Sequence, residues 1–156
     1  MGDFITGVLV ENEAGATYEG HVYDRFLKLR LSDGQILAVF DPPGSFGPIS
    51  TILSKGEVYE MILMTLPIPK SVQYFPASPL LSLDVDVWQG EIIEPHWVLP
   101  EGRYKLTHSY LSEREWVLLA TRRGQLLMSP KVFSIPLSRG GIVQWDNVRL
   151  DLCAVV

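Results

Sequence analysis

The stretch "LRLSDGQILAVFDPPG", Leu29 to Gly44, decides the reading of the fold. Leu27, Leu29 and Leu31 alternate with Lys28 and Arg30, the pattern of a strand with one buried face. Asp33-Gly34 is a hairpin signal, because such turns need positive φ and glycine adopts it without steric cost. Gln35 to Phe40 reads as the return strand. Pro42-Pro43-Gly44 ends it, since proline cannot donate to a ladder.

Extended segments dominate on both sides of this hairpin. Phe4 to Glu11 is rich in β-formers and runs into a turn at Asn12-Glu13-Ala14-Gly15. Tyr18 to Leu31 reads as one long extended segment, bent near Gly20 and Tyr23-Asp24-Arg25. Phe46 to Leu53 is expected to form a short helix. Glu57 to Leu66 is apolar on both faces, with Val58, Ile62, Met64 and Leu66 on one and Tyr59, Met61 and Leu63 on the other. Such a strand is covered on both sides or lies at an interface.

Pro67, Pro69, Pro76 and Pro79 then mark a connector over residues 67–80. Beyond it, Leu81, Leu83, Val85 and Val87 alternate with Ser82, Asp84 and Asp86. Gly90 suggests a bulge in a longer strand reaching Val98. Trp116 to Thr121 and Gln125 to Met128 flank Arg122-Arg123-Gly124 as a second hairpin. Val148, Leu150 and Leu152 alternate with Arg149 and Asp151 near the end. No long helix is visible.

These signals predict an all-β protein of small OB-like barrel or sandwich sheets. Residues 1–66 form one module and residues 81–156 a second. "FLKLRLSDGQIL", Phe26 to Leu37, aligns with "WVLLATRRGQLL", Trp116 to Leu127, on the turn glycine. Self-similarity of this kind is the cue for a duplication, so the second module is read as a diverged repeat of the first. Two unrelated hairpins would share much of the same pattern.

The first half has the punctuation of an OB-fold: a glycine-bearing first strand, an Asp-Gly hairpin, a linking segment, then "KGEVYEMIL". The resemblance is to an architecture, and it covers about half of the chain. OB-folds commonly bind oligonucleotides or oligosaccharides on their second and third strands. A shared fold carries no function by itself.

The bulk numbers narrow the classes. The chain has 156 residues, 47% of them hydrophobic, with a net charge of -5. A sizeable core is expected and disorder is not. Nucleic-acid binders usually carry a basic excess, which is missing here. The one cysteine, Cys153, can form neither an intramolecular disulfide nor a cysteine metal site, as expected of a cytoplasmic protein. No apolar run approaches the ~20 residues of a membrane helix, so no membrane association is expected. Met1, Gly2 and Thr6 match the loose N-myristoylation spacing, but Phe4 to Val10 reads as a docked strand.

No catalytic motif is present: no phosphate-loop glycine pattern, no G-x-S-x-G and no H-E-x-x-H. His21, His96 and His108 are scattered and imply no metal; no cofactor is expected. Asp84 and Asp86 resemble a carboxylate pair, but on one strand they suit a solvated face better than opposed acid and base. Cys153 lacks a local base and reads as a packing residue. Trp88, Trp97, Trp116 and Trp145 each lie in apolar runs and are mostly assigned to the core.

Phe26, Lys28 and Arg30 share one strand face, opposite the leucines. An aromatic followed by two cations is a weak candidate for a ligand-binding face. The matching residues of the second hairpin, Trp116, Leu118 and Ala120, keep the aromatic and lose the charge. The chain is therefore expected to be no enzyme but a binding or interaction module, with a protein partner or self-association favoured. Single-stranded nucleic-acid binding is the alternative, disfavoured by net acidity. A hydrolase acting through Asp84 or Asp86 ranks last.

Overall fold

The computed structural model describes residues 3–76, 87–102 and 104–156. In chain order the first strands are β1 (Ile5–Ala14), β2 (Thr17–Tyr18), β3 (His21–Val22), β4 (Arg25–Arg30), β5 (Ile36–Asp41) and β6 (Val58–Pro67). They are followed by β7 (Gln73–Phe75), β8 (Trp88–Trp97), β9 (Leu106–Thr107), β10 (Trp116–Thr121), β11 (Gly124–Met128), β12 (Ile142–Trp145) and β13 (Asn147–Val155).

Period-two alternation builds the barrel wall. Leu27 and Leu29 of β4 and Leu37 and Val39 of β5 turn inward, while Phe26, Lys28, Arg30, Ile36 and Ala38 turn out. The inward set meets Ile5, Leu9, Met61, Leu63, Leu150 and Leu152 in one core. Five strands close around that core in the order β1-β4-β5-β13-β6, and β6 pairs back onto β1. β13 runs parallel to β5 and antiparallel to β6. The protein is all-β, with a closed OB-like five-stranded barrel and further strands packed outside it.

β13 comes from the far end of the chain, so the barrel takes strands from both sides of the proline-rich connector. Within the connector, Gln73–Phe75 forms β7 and pairs with β12. The outer strands follow in the order β7-β12-β8-β10-β11 and reach the barrel where β11 lies parallel to β6. Between the layers sits a second cluster of Ile62, Met64, Leu111, Trp116, Leu118, Leu127, Cys153 and Ala154. From Met61 to Met64 the two-sided apolar strand is thereby covered on both faces by its own chain, while Val58 at its start stays exposed. Met61 and Leu63 point into the barrel, and Ile62 and Met64 point at the outer strands.

Several local expectations need correction. The helix expected over Phe46 to Leu53 is only a 3₁₀ turn at Ser50–Ile52. Gly47 is left-handed at φ 90°, and Pro48 follows it without an N–H, so a helix cannot run from Phe46 through these two residues. The segment from Tyr18 bends where expected, at Gly20 and at Tyr23-Asp24, which divides it into a two-stranded ribbon, β2 with β3, and then β4. Val148 does not share the buried face of Leu150: a register shift between Asn147 and Arg149 turns it outward.

The two turn glycines also differ. Gly34 has φ 88° and lies outside the ladder, in a turn closed by hydrogen bonds from the Leu31 N–H to the Gln35 carbonyl and from the Gly34 N–H to the Leu31 carbonyl. Gly124 has φ 127° and is already the first paired residue of its strand, opposite Thr121. The turns therefore lend no support to a duplication. The expected strand from Leu81 to Val87, apart from Val87 itself, the Asp84 and Asp86 pair, Pro79 and the Met1-Gly2 motif lie outside the described residues. Among the described residues, no helix is long and apolar enough to cross a membrane.

Candidate functional site

The outer face of the β4–β5 hairpin is set by its register. Phe26 pairs with Phe40, Lys28 with Ala38, and Arg30 with Ile36. β13 runs beside β5 and adds Val148 and Arg149. Together with Glu11 of β1 and Trp88 at the start of β8, these residues other than Arg30 line a groove of about 490 Å³. Its apolar side chains remain open to solvent: Phe26 is 54% exposed, Ile36 46% and Val148 63%. The Phe26 and Phe40 rings lie 5.3 Å apart, tilted by 50°.

Each cation that lines the groove already has a partner. Lys28 Nζ lies 3.4 Å from Glu11, across β1. Arg149 lays its guanidinium 4.5 Å over the Phe40 ring. Its Nε and Nη2 donate to the two oxygens of Asp151, at 2.7 and 3.2 Å. Burial raises the Asp151 carboxyl pKa, and the Arg149 bonds work against that rise. Of the three residues singled out in sequence, Phe26 and Lys28 line the groove. Arg30 shares their strand face but not the groove wall.

A second polar constellation is buried nearby. The Asp41 carboxylate accepts from His108 Nε2 at 2.6 Å and from the Ser50 backbone N–H at 2.7 Å. Ser50 Oγ donates to the same carboxylate. Tyr110 stacks on His108 with ring centroids 5.2 Å apart, and its hydroxyl donates to the Leu152 carbonyl. This set contains a serine, a histidine and an aspartate. Serine activation needs the histidine between the other two, whereas here the aspartate is central. The cluster instead joins the loop after β5 to the segment before β10. Buried polar groups are tolerated when they are hydrogen-bonded in this way.

The remaining chemical candidates are ordinary. Burial pushes the Cys153 thiol up to about 12, so it stays protonated and unreactive. His21 packs edge-on against Tyr23, and His96 lies 3.1 Å from Glu115 on the surface. Among the described residues, no group of three or more His, Cys, Asp or Glu is placed to hold a metal. Trp88, Trp116 and Trp145 are buried, and Trp97 packs beside the second cluster.

Sequence reasoning missed Phe40, Val148, Arg149 and the Asp41–His108 pair. Phe40 was findable, because counting outward from the Asp-Gly turn places it opposite Phe26. The others depend on a strand and a loop that arrive from far along the chain. The chain matches no protein-family model and no curated protein.

Proposed function

We propose that the protein is a non-catalytic binding module, and that its groove on β4, β5 and β13 takes an extended apolar segment of a protein partner. The observation that carries this is the exposed set Phe26, Ile36 and Val148 around Phe40, gathered in one groove. Clustered exposed apolar side chains of this kind mark interaction sites. Aromatic anchors in a recess supply much of the affinity in such contacts. The two-sided strand β6 no longer speaks for a partner, since the outer strands cover it.

Charge separates this reading from nucleic-acid binding. Lys28 and Arg149 are neutralised by Glu11 and Asp151, and the chain carries a net charge of -5. A polyanion would have to displace both carboxylates against long-range repulsion. The reading includes a cytoplasmic location, because the fold rests on its core and has no disulfide to lose.

The test is selection of a random displayed peptide library on the wild-type chain. Selected peptides should be apolar, and Phe26→Ser and Val148→Ser should each weaken them about tenfold, or ~1.4 kcal/mol. Their melting temperatures should stay close to wild type. Failure to enrich any peptide over a Phe26→Ser, Val148→Ser double variant would overturn the proposal. Self-association would instead appear as a concentration-dependent dimer that the same double variant abolishes. Micromolar binding of a single-stranded oligonucleotide, lost on replacing Lys28 and Arg30, would favour the nucleic-acid reading.

A further inference from the structure

The groove lies where two strands of the barrel part. β5 and β13 run parallel but pair only at Val39–Leu150 and Phe40–Asp151. Ile36, Leu37 and Ala38 of β5 and Asn147, Val148 and Arg149 of β13 precede those pairs, and all six line the groove. The ladder thus stops short and leaves an open edge of β5 inside the groove.

The hairpin register fixes which backbone groups of that edge are unused. The Leu31 N–H donates to the Gln35 carbonyl at 2.8 Å. Opposed residues of an antiparallel pair alternate between hydrogen-bonded and non-hydrogen-bonded. Leu29–Leu37 and Leu27–Val39 are therefore bonded pairs, while Arg30–Ile36 and Lys28–Ala38 are not. The N–H groups of Ile36 and Ala38 and the Ile36 carbonyl accordingly point away from β4, towards β13, where neither residue is paired. Among the described residues neither N–H has a partner.

Asn147 adds a side-chain donor. The Trp145 indole N–H donates to Thr65 Oγ1 at 2.9 Å, and the Thr65 hydroxyl donates to Asn147 Oδ1. An indole can only donate, so the threonine proton goes to Asn147 and fixes which way its amide lies. Its Nδ2 is left without a partner among the described residues, on a residue that lines the groove.

We propose that the partner's segment joins this edge as an added strand, held by its main chain. Its carbonyls accept from the Ile36 and Ala38 N–H groups and from Asn147 Nδ2, and one of its N–H groups donates to the Ile36 carbonyl. An extended chain presents such groups at every second residue along one edge, the spacing of Ile36 and Ala38. A helix has its carbonyls bonded internally and cannot supply them. Continuing the existing ladder takes no bond from the protein itself. The inference deepens the proposed function and rests on it.

The test uses a peptide selected on the wild-type groove and amide exchange of the full chain. Alone, the Ile36 and Ala38 amides should exchange freely, while Leu37 and Val39 are protected. With peptide bound, exchange at Ile36 and Ala38 should slow at least about tenfold. An N-methyl scan of the peptide should weaken binding about fivefold to tenfold at a residue whose two neighbours tolerate the change. Ala38→Pro removes a donor that the free protein does not use and should weaken binding by a similar factor at an unchanged melting temperature. If that variant unfolds, the exchange and the scan decide. A peptide that shifts Phe26 and Val148 yet leaves Ile36 and Ala38 exchange unchanged would overturn strand addition and leave the groove reading standing. Failure to select any groove peptide would overturn both.

Discussion

In the first hairpin Phe26 stands at the position that Trp116 takes in the second, yet Phe26 is 54% exposed and Trp116 is 0% exposed. Both hairpins have one face on the main core, through Leu29 and Leu37 in the first and Leu119 and Leu126 in the second. They differ on the other face. The second hairpin puts Trp116, Leu118 and Leu127 against Ile62 and Met64 of β6. The first has Phe26, Lys28, Ile36 and Ala38 facing solvent. Local pattern sets the direction of each side chain, and the neighbours that arrive later set whether it is covered. The open face is the one proposed above for docking.

The sharpest break of this contrast is truncation of the two aligned aromatics. Trp116→Ala should cost about 3–5 kcal/mol, through a large cavity and the lost hydrogen bond from Nε1 to the Leu111 carbonyl. Phe26→Ala should cost about 1 kcal/mol or less, since the side chain is mostly exposed and loses mainly its ring contact with Phe40. Urea unfolding of both variants measures the difference. Equal costs would mean that the first face is covered as well.

Next in size is the bond between barrel and outer segment. His108→Ala leaves the Asp41 carboxylate buried beside Ser50 without its imidazole partner. The expected loss is about 3 kcal/mol, read from the same unfolding curves. A loss near zero would show that water replaces the imidazole and that the segment before β10 is loosely held.

The smallest effect concerns Cys153, which β13 buries between the layers. Its folded pKa is about 12, above the ordinary value of 9.0. The unfolded chain therefore releases this proton first as pH rises, while the folded chain keeps it. Stability is fully present below pH ~9 and falls above it, by about 1 kcal/mol between pH 8 and 10. Cys153→Ala should remove that part of the slope. An unchanged slope in the variant would show that the thiol is not buried as described.

The sequence carried the local half of this fold. Alternation at Leu27, Leu29 and Leu31, with the Asp-Gly turn, placed the first hairpin and its outward Phe26 and Lys28. The two-sided pattern of β6 left cover by its own chain and an interface as alternatives, and only the folded chain shows the outer strands against it. Barrel closure by β13 was illegible, because its pairing with β5 and β6 is long-range and depends on no local motif. Val148 was assigned to the wrong face because a bulge reverses alternation without marking the sequence. Asp41 and His108 are ordinary residues in their own segments, and only the folded chain brings them together. The groove was half visible for the same reason: its β4 wall is local, and its β13 wall is not.

The most direct measurement is chemical-shift mapping of a groove-selected peptide on the isotopically labelled chain. Expected are saturable shifts at Phe26, Ile36, Phe40, Val148 and Arg149, with Trp116, Leu118 and Leu127 of the second hairpin unmoved. Shifts centred on the second hairpin, or spread over both without saturation, would contradict a binding face on the first.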